Sequence, residues 1–435
     1  MTTQPLSPAQ PAKERRALVE AVVASTIGTT IEWYDFFLYG TATALVFRKL
    51  FFPEADPFVG QMLAFSTFTL GFIARPVGGV IFGHLGDRVG RKSTLVATLL
   101  LMGVSTFLIG FLPAYGRIGV AAPLLLTLLR IIQGIGVGGE WGGAVLLAVE
   151  YGHRGKRGFY ASWPQAGVPL GLLTSGGILY LFQRGLSEEA FLDWGWRVPF
   201  YLSGLLIVVG LLIRLRILET PLFARLKQDN QLSQAPVVEA VRRNWREILL
   251  AAGTRLSENS CFYLFTVYVL SYAGNAQTTV LLAVNIAAAT EFLTIPLFGI
   301  LSDHLSRRRT YALGGFFLIA FAFPYFALLR TNAAGWIILA VVLSLAVGHA
   351  LLYSVQASLI PELFGTRLRY TGASLGYQLA SPFAGGMAPL IAGWLDEISG
   401  GQSWPLALYI VLITVISLVC VYALAETSRK DLSDQ

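Results

Sequence analysis

Apolar runs of about twenty residues recur along the whole of this chain, and their recurrence limits what it can fold into more than any other feature. They cover approximately 17–47, 58–84, 93–112, 120–149, 159–183, 196–217, 247–273, 278–301, 310–329, 334–360, 370–395 and 404–425. No water enters a bilayer core to satisfy backbone N–H and C=O groups, so each span must close its own hydrogen bonds as a helix. A membrane barrel would need alternating strands of about ten residues, and the sequence has none. The prediction is an all-α membrane protein of twelve transmembrane helices. Composition agrees: 13% of residues are charged, against roughly 25% in a soluble domain, and mean hydropathy is +0.63.

The chain also repeats itself. Gly83-His84-Leu85-Gly86-Asp87-Arg88-Val89-Gly90-Arg91-Lys92 returns, worn, as Gly299-Ile300-Leu301-Ser302-Asp303-His304-Leu305-Ser306-Arg307-Arg308, an offset of 216. Glu150 and Arg157 match Glu362 and Arg369 at an offset of 212, and Glu219-Thr220 matches Glu426-Thr427 at 207. Internal symmetry in an apolar chain predicts a membrane carrier built from two parallel repeats. The division expected is a tail over 1–16, a six-helix bundle over 17–217, a polar linker over 218–246, a second six-helix bundle over 247–425 and a tail over 426–435. Within the linker, Val237–Arg246 is read as a short surface helix.

The net charge of +7 is distributed by side. Connections on the side of the N-terminus hold 23 Lys and Arg, those on the other side six, and Arg75, Arg130 and Arg255 fall inside spans. By the positive-inside rule both termini are expected in the cytoplasm. The basic excess is therefore topological, and nucleic acid is not expected as a partner. Residues 1–16 lack the apolar core of a cleavable signal, so the first span is expected to serve as the insertion signal.

Two catalytic-looking motifs dissolve in this context. Gly134-Ile135-Gly136-Val137-Gly138-Gly139 fits a dinucleotide fingerprint, and Gly372-Ala373-Ser374-Leu375-Gly376 fits a nucleophile elbow. Both lie in spans without the strand that such motifs require, so close helix packing by small residues is the reading preferred. No enzyme, cofactor or metal site is expected. Cys261 and Cys420, both in apolar spans, are read as packing residues.

Eight charged side chains, away from the span ends, are expected within the hydrocarbon region: Glu32, Asp35, Arg75, Arg130, Glu140, Arg255, Glu258 and Glu291. Each costs about 2.5–3.5 kcal/mol at a helix centre, so together, unpaired, they would cost about 20–28 kcal/mol. They must face a hydrated path or one another. Five acids against three arginines leave at least two carboxyls without an Arg partner, which are candidates for reversible protonation. Glu32 and Asp35 share a helix face, where two close carboxyls disfavour double ionisation. Proton coupling is assigned to Asp35, with Glu32, against the alternative of a carboxylate held by an arginine; Arg130 is the arginine expected beside them. Arg255 and Glu258, spaced i, i+3, are expected to pair, with substrate contact as the alternative for Glu258. Arg75, beside Pro76, suits an anionic group. Gln165 lies between Pro164 and Pro169, which are expected to break the fifth span twice. Tyr34 is expected to line a cavity, and His349 to be a hydrogen-bonded core residue.

Several of these residues carry a resemblance. Gly83–Lys92 looks like the signature loop of the major facilitator superfamily. Glu32-Trp33-Tyr34-Asp35-Phe36 with Tyr39-Gly40, Arg75-Pro76-Val77-Gly78-Gly79, and Arg130 with Gln133-Gly134 and Gly138-Gly139-Glu140 resemble the metabolite:proton symporter family of bacteria within it. So do Gly195-Trp196-Arg197-Val198-Pro199-Phe200 and Glu219-Thr220-Pro221. The resemblance covers nearly all of the chain. It implies proton-driven uptake of a small polar metabolite by alternating access, in a bacterial inner membrane, by a monomer. The family's substrates are dicarboxylates, tricarboxylates, shikimate-like acids, and zwitterions such as proline and betaine. It further implies a gating latch of Asp87, Arg88 and Arg91, with Asp303 and Arg307 as the weaker counterpart.

The expected function is therefore symport of a carboxylate-bearing metabolite. Arg75, Arg130, Gln165, Tyr34 and Glu258 are its candidate ligands. Uptake of a zwitterion, efflux by proton exchange and a non-transporting sensor are the alternatives.

Overall fold

The computed structural model describes residues 9–89, 91–138, 155–216, 236–365 and 368–428. Among them run twelve long helical segments and no strand. The first half holds α1 (Ala9–Ala42), α2 (Pro57–Val89), α3 (Arg91–Ile109), α4 (Ala121–Gly138), α5 (Arg157–Gly185) and α6 (Val198–Arg216). The second half holds α7 (Pro236–Tyr263), α8 (Gln277–Leu305), α9 (Arg307–Arg330), α10 (Ala334–Glu362), α11 (Arg369–Ser381 continuing through Ala388–Ile398) and α12 (Trp404–Ala423). Eight of the helices described are long and apolar enough to cross a membrane by length and composition alone. Tight π-turns extend α1 (Thr43–Phe47) and α7 (Leu264–Tyr268), and interrupt α10 (Ser344–His349) and α11 (Pro382–Gly386). Such turns mark places where side chains are re-aimed inside a helix.

The two halves pack by one scheme. In the first, α1 lies against α5 and α6, α2 against α4, and α3 against α4 and α6. In the second, α7 lies against α11 and α12, α8 against α10, and α9 against α10 and α12. Between the halves α5 meets α8 and, symmetrically, α11 meets α2. Two six-helix bundles related by an approximate two-fold axis produce this pattern, and the worn sequence repeat is its trace.

Glycine sets the spacing where backbones touch. A Cβ on Gly134 would stand 2.1 Å from the Gly71 carbonyl oxygen, one on Gly138 2.0 Å from that of Arg75, and one on Gly78 2.0 Å from that of Ile135. The fingerprint-like run is thus the seam between α4 and α2, as small residues in a span should be. Gly372 abuts the Phe364 ring and Gly376 the Ala251 methyl, so the second motif is packing as well.

The fifth span departs from expectation. α5 runs unbroken from Arg157 to Gly185 with Pro164 and Pro169 inside it. Its neighbours hold it straight: Gly167 and Gly171 seat it directly on the α1 backbone at Thr26 and Tyr34. A spanning helix tolerates proline where packed neighbours absorb the loss. In α7 the geometry breaks at Asn244, so the turns from Pro236 form a separate helix ahead of the span. Arg197 ends α3 by donating to the carbonyls of Gly110 and Leu112, both at 2.7 Å.

The seam is testable. Gly134→Ala should cost about 1–3 kcal/mol through overpacking and lower the unfolding temperature in detergent. Gly116→Ala, where nothing lies within 4 Å, should leave it unchanged. Equal melting of the two variants would contradict the packing described.

Candidate functional site

The middle of the first half holds two buried guanidinium groups on one aromatic ring. Arg75 of α2 and Arg130 of α4 lie over Phe36 of α1, 4.2 and 4.3 Å from its centroid. Phe72 takes a second face of Arg75 at 4.2 Å, while Tyr39 and Phe68 flank Arg130 at 4.3 and 4.8 Å. Both arginines are 1% exposed or less. Ring faces offset part of the cost of an ion out of water, but they accept no N–H bond in the plane of the guanidinium. Nε and Nη2 of each arginine find no hydrogen-bond partner among the described residues. Among the described residues no acceptor meets those N–H groups.

Asp35, 1% exposed, faces elsewhere. Ser203 of α6 donates to its Oδ1 at 2.5 Å, and its Oδ2 lies 3.6 Å from where a Cβ on Gly103 of α3 would stand. The link to Arg130 is indirect. Arg130 donates to the Gln133 side-chain oxygen, and Gln133 Nε2 donates to the Asp35 backbone carbonyl at 3.1 Å and to Thr106 at 2.8 Å. Glu32 is half-buried one turn earlier on the same helix. The Tyr34 hydroxyl is already spent on the Pro199 carbonyl at 2.8 Å. Gln165 is buried and reaches across the halves, its Nε2 donating to the Tyr353 carbonyl of α10 at 3.4 Å.

In the second half Arg255 and Glu258 of α7 pair at 3.0 Å, the i, i+3 contact their spacing predicts. Arg255 also donates to Gln356 at 3.2 Å, and its guanidinium stacks 3.3 Å over Tyr377. Its Nε has no hydrogen-bond partner among the described residues. The two guanidinium sites are close neighbours: Arg75 is within electrostatic reach of Tyr263, Tyr377 and Arg255. The rings of Phe36 and Phe72 pack on Tyr263 across the interface, and Thr69 donates to the Gly386 carbonyl at 2.6 Å. His349 lies between Glu258 and Glu291, a contact its lone position in sequence did not disclose.

At the end of the fold where α1 begins, one carboxylate ties the halves together. Asp303 accepts from the backbone N–H groups of Gly158 and Phe159 at 2.8 and 3.0 Å. It thus sits at the positive end of α5, where a carboxylate is stabilised by both the free N–H groups and the helix dipole. Arg307 holds it at 2.8 Å and binds Glu362 at 3.2 Å, and Thr427 donates to Glu362 at 2.6 Å. Glu426 accepts from the backbone N–H groups of Arg307 and Arg308, both at 3.1 Å. The repeated residues of the second half thus form one connected network. Their counterparts Asp87, Arg88 and Arg91, and Glu140 in the fourth span, have side chains outside the described residues.

The comparisons with known proteins agree with this architecture. The model of the Major Facilitator Superfamily matches residues 26–378. The chain is 38% identical over 422 residues to the inner membrane metabolite transport protein YhjE of Escherichia coli (strain K12), covering 95% of each. It is 39% identical to the shikimate transporter of the same organism, over 94% of this chain and 95% of that one. Among solved structures, the proton:xylose symporter XylE bound to 6-bromo-6-deoxy-D-glucose superposes with a TM-score of 0.73, covering 96% of this chain and 98% of that one. At 16% identity that likeness is one of fold.

Gln133 is the joint of the first-half site. Gln133→Ala should cost about 1–3 kcal/mol by stranding the Arg130 guanidinium and the Asp35 carbonyl. The cost should appear as a lower unfolding temperature in detergent. An unchanged melt would show that the relay is not made.

Proposed function

The chain belongs to the Major Facilitator Superfamily and is a membrane transporter of metabolites; from that premise we propose that it couples proton entry to uptake of a small carboxylate-bearing metabolite. A dicarboxylate, a tricarboxylate or a shikimate-like acid fits best. The observation that carries this reading is the pair Arg75 and Arg130, buried, stacked on Phe36 and with N–H groups that meet no acceptor among the described residues. A solute carboxylate accepts such bonds in a bidentate geometry that the aromatic faces cannot supply. A zwitterion would need an acid facing the same space. Asp35 points to α6 instead, and Glu258 on the facing half is already paired with Arg255, which favours the anion.

The proposed cycle follows from the positions. The end where α1 begins carries most of the Lys and Arg, so it is assigned to the cytoplasm of a bacterial inner membrane, with both termini there. Asp35, with Glu32 beside it, takes a proton from the outer side. A buried carboxyl held only by the hydroxyls of Ser203 and Thr106 keeps a negative charge only while water or a cation reaches it, so proton exchange there is tied to which side is open. The solute carboxylate settles on Arg75 and Arg130, with Gln165 of α5 beside them and Glu258 on the facing half. The bundles then rock about it. Asp303 on the α5 N-terminus, held by Arg307, latches the cytoplasmic end in the state described. By the repeat, Asp87, Arg88 and Arg91 form the corresponding latch on the first half.

Proteoliposomes with a pH-sensitive dye in the lumen test the reading against a panel of organic acids, amino acids and betaines. A carboxylate solute added outside should acidify the lumen. A lumen that alkalinises would indicate exchange, and binding with no pH change a sensor; either result overturns the proposal. Asp35→Asn should abolish accumulation against a gradient while sparing exchange of solute across the membrane. Arg130→Lys, which cannot form the bidentate pair, should raise the half-saturating concentration about 10-fold or more. Retained uphill uptake in Asp35→Asn would remove that residue from its role.

A further inference from the structure

His349 sits at the end of the π-turn in α10, 1% exposed, with a carboxylate at each ring nitrogen. Nδ1 meets Glu291 Oε1 of α8, and Nε2 lies 3.3 Å from Glu258 Oε1 of α7. Two N···O contacts at hydrogen-bond range need two protons between them. Either the ring is an imidazolium donating both ways, or it is neutral and one acid carries a proton. With one proton fewer, a nitrogen lone pair faces a carboxylate and that contact must open.

Charge counting leads to the same conclusion. Loaded, Arg255, Glu258, His349 and Glu291 sum to zero, a condition that a site so deep in the bundle can hold. Unloaded, they leave one net negative charge. The other described groups facing this site are neutral in form, Cys261 and Tyr263 of α7, Tyr311 of α9, Tyr353 and Gln356 of α10, and Tyr377 of α11, while the Arg75 guanidinium of α2 lies within electrostatic reach of Arg255. The Tyr311 hydroxyl is committed to the Thr254 carbonyl, and Gln165 reaches in from α5 only as far as the Tyr353 carbonyl.

We propose that Glu258, His349 and Glu291 form a second proton-binding site, in the second half and separate from Asp35, that is loaded as an imidazolium between two carboxylates and ties α7, α8 and α10 together while it is loaded. The proposal rests on the proton-coupled reading above. It places the proton against a residue of α8, the helix that packs on α5 of the other half. It also gives the proton a reason to accompany solute. Glu258 serves His349 with one oxygen and Arg255 with the other. A solute carboxylate that draws Arg255 away leaves Glu258 in need of a positive imidazolium. Proton and anion therefore favour each other's binding, and the proton leaves to the cytoplasm after the anion does.

The chain has four histidines, so 15N-histidine NMR of the full protein in lipid can resolve them. His349 is assigned by the signal lost in His349→Gln. It should carry protons on both nitrogens at neutral pH and lose one at alkaline pH, within a range of about pH 6 to 10. Glu291→Gln, or Glu258→Gln should the first fail to fold, should lower the doubly protonated fraction at neutral pH at least 5-fold, while Asp35→Asn leaves it within about 2-fold. A singly protonated His349 of fixed tautomer across that range in the wild type would overturn the proposal. So would an Asp35→Asn variant that moved the signal as far as Glu291→Gln does. The spectrum needs no transport, so the two readings fail separately. Loss of this site shows in the spectrum with Asp35-dependent accumulation intact, and loss of symport shows in the lumenal dye with the spectrum as expected.

Discussion

Keeping guanidinium groups charged in the middle of an apolar bundle is the constraint on which this structure turns. Arg75, Arg130 and Arg255 cannot shed their charge, and burial denies them water. Each is seated on aromatic rings, and the helices are arranged to deliver those rings: Phe36 from α1, Phe72 and Phe68 from α2, and Tyr377 from α11. Stacking of this kind is worth about 0.5–2 kcal/mol per contact, less than a full set of charge-assisted hydrogen bonds. The shortfall lies close to the interface between the halves, where Phe36 and Phe72 pack on Tyr263.

The two-fold repeat makes such an interface possible. Each half buries its own helices in the same order, and the halves touch through two symmetric pairs, α5 with α8 and α11 with α2. Contacts inside each half are close, set by glycine against backbone carbonyls. Between the halves, apart from the close backbone approach of α5 to α8 at Gly158 and Gly299, they are of another kind: aromatic edges, single hydroxyl donors and the Asp303 carboxylate on the α5 N-terminus. Interactions of that type are exchanged for water at modest cost, whereas a backbone seam is not.

Much of this was legible in the sequence because the bilayer acts on composition. Span positions follow from apolar length, and the Gly134 seam follows from small residues at helical spacing in a span. The pairing of Arg255 with Glu258 follows from a separation of three. What was not legible depends on contacts between distant segments. Ser203 meets Asp35 across 168 residues, Gln133 meets it across 98, and His349 reaches Glu258 and Glu291 across 91 and 58. No local periodicity announces such meetings. The arginine expected beside Asp35 is there, but it acts through Gln133 rather than through a direct ion pair. Tyr34, expected along a cavity, is turned to α6 by the Pro199 carbonyl. The prolines of α5 do not break it, because their effect depends on neighbours that the α5 sequence does not name.

The claim at the centre is that the spare N–H groups of Arg75 and Arg130 belong to a carboxylate brought by the solute. An experimental structure with a carboxylate solute bound tests it most directly. The account predicts solute oxygens within about 2.7–3.2 Å of both guanidinium groups, above the ring of Phe36. Solute bound elsewhere, with those N–H groups taken up by the protein's own carboxylates, would contradict it.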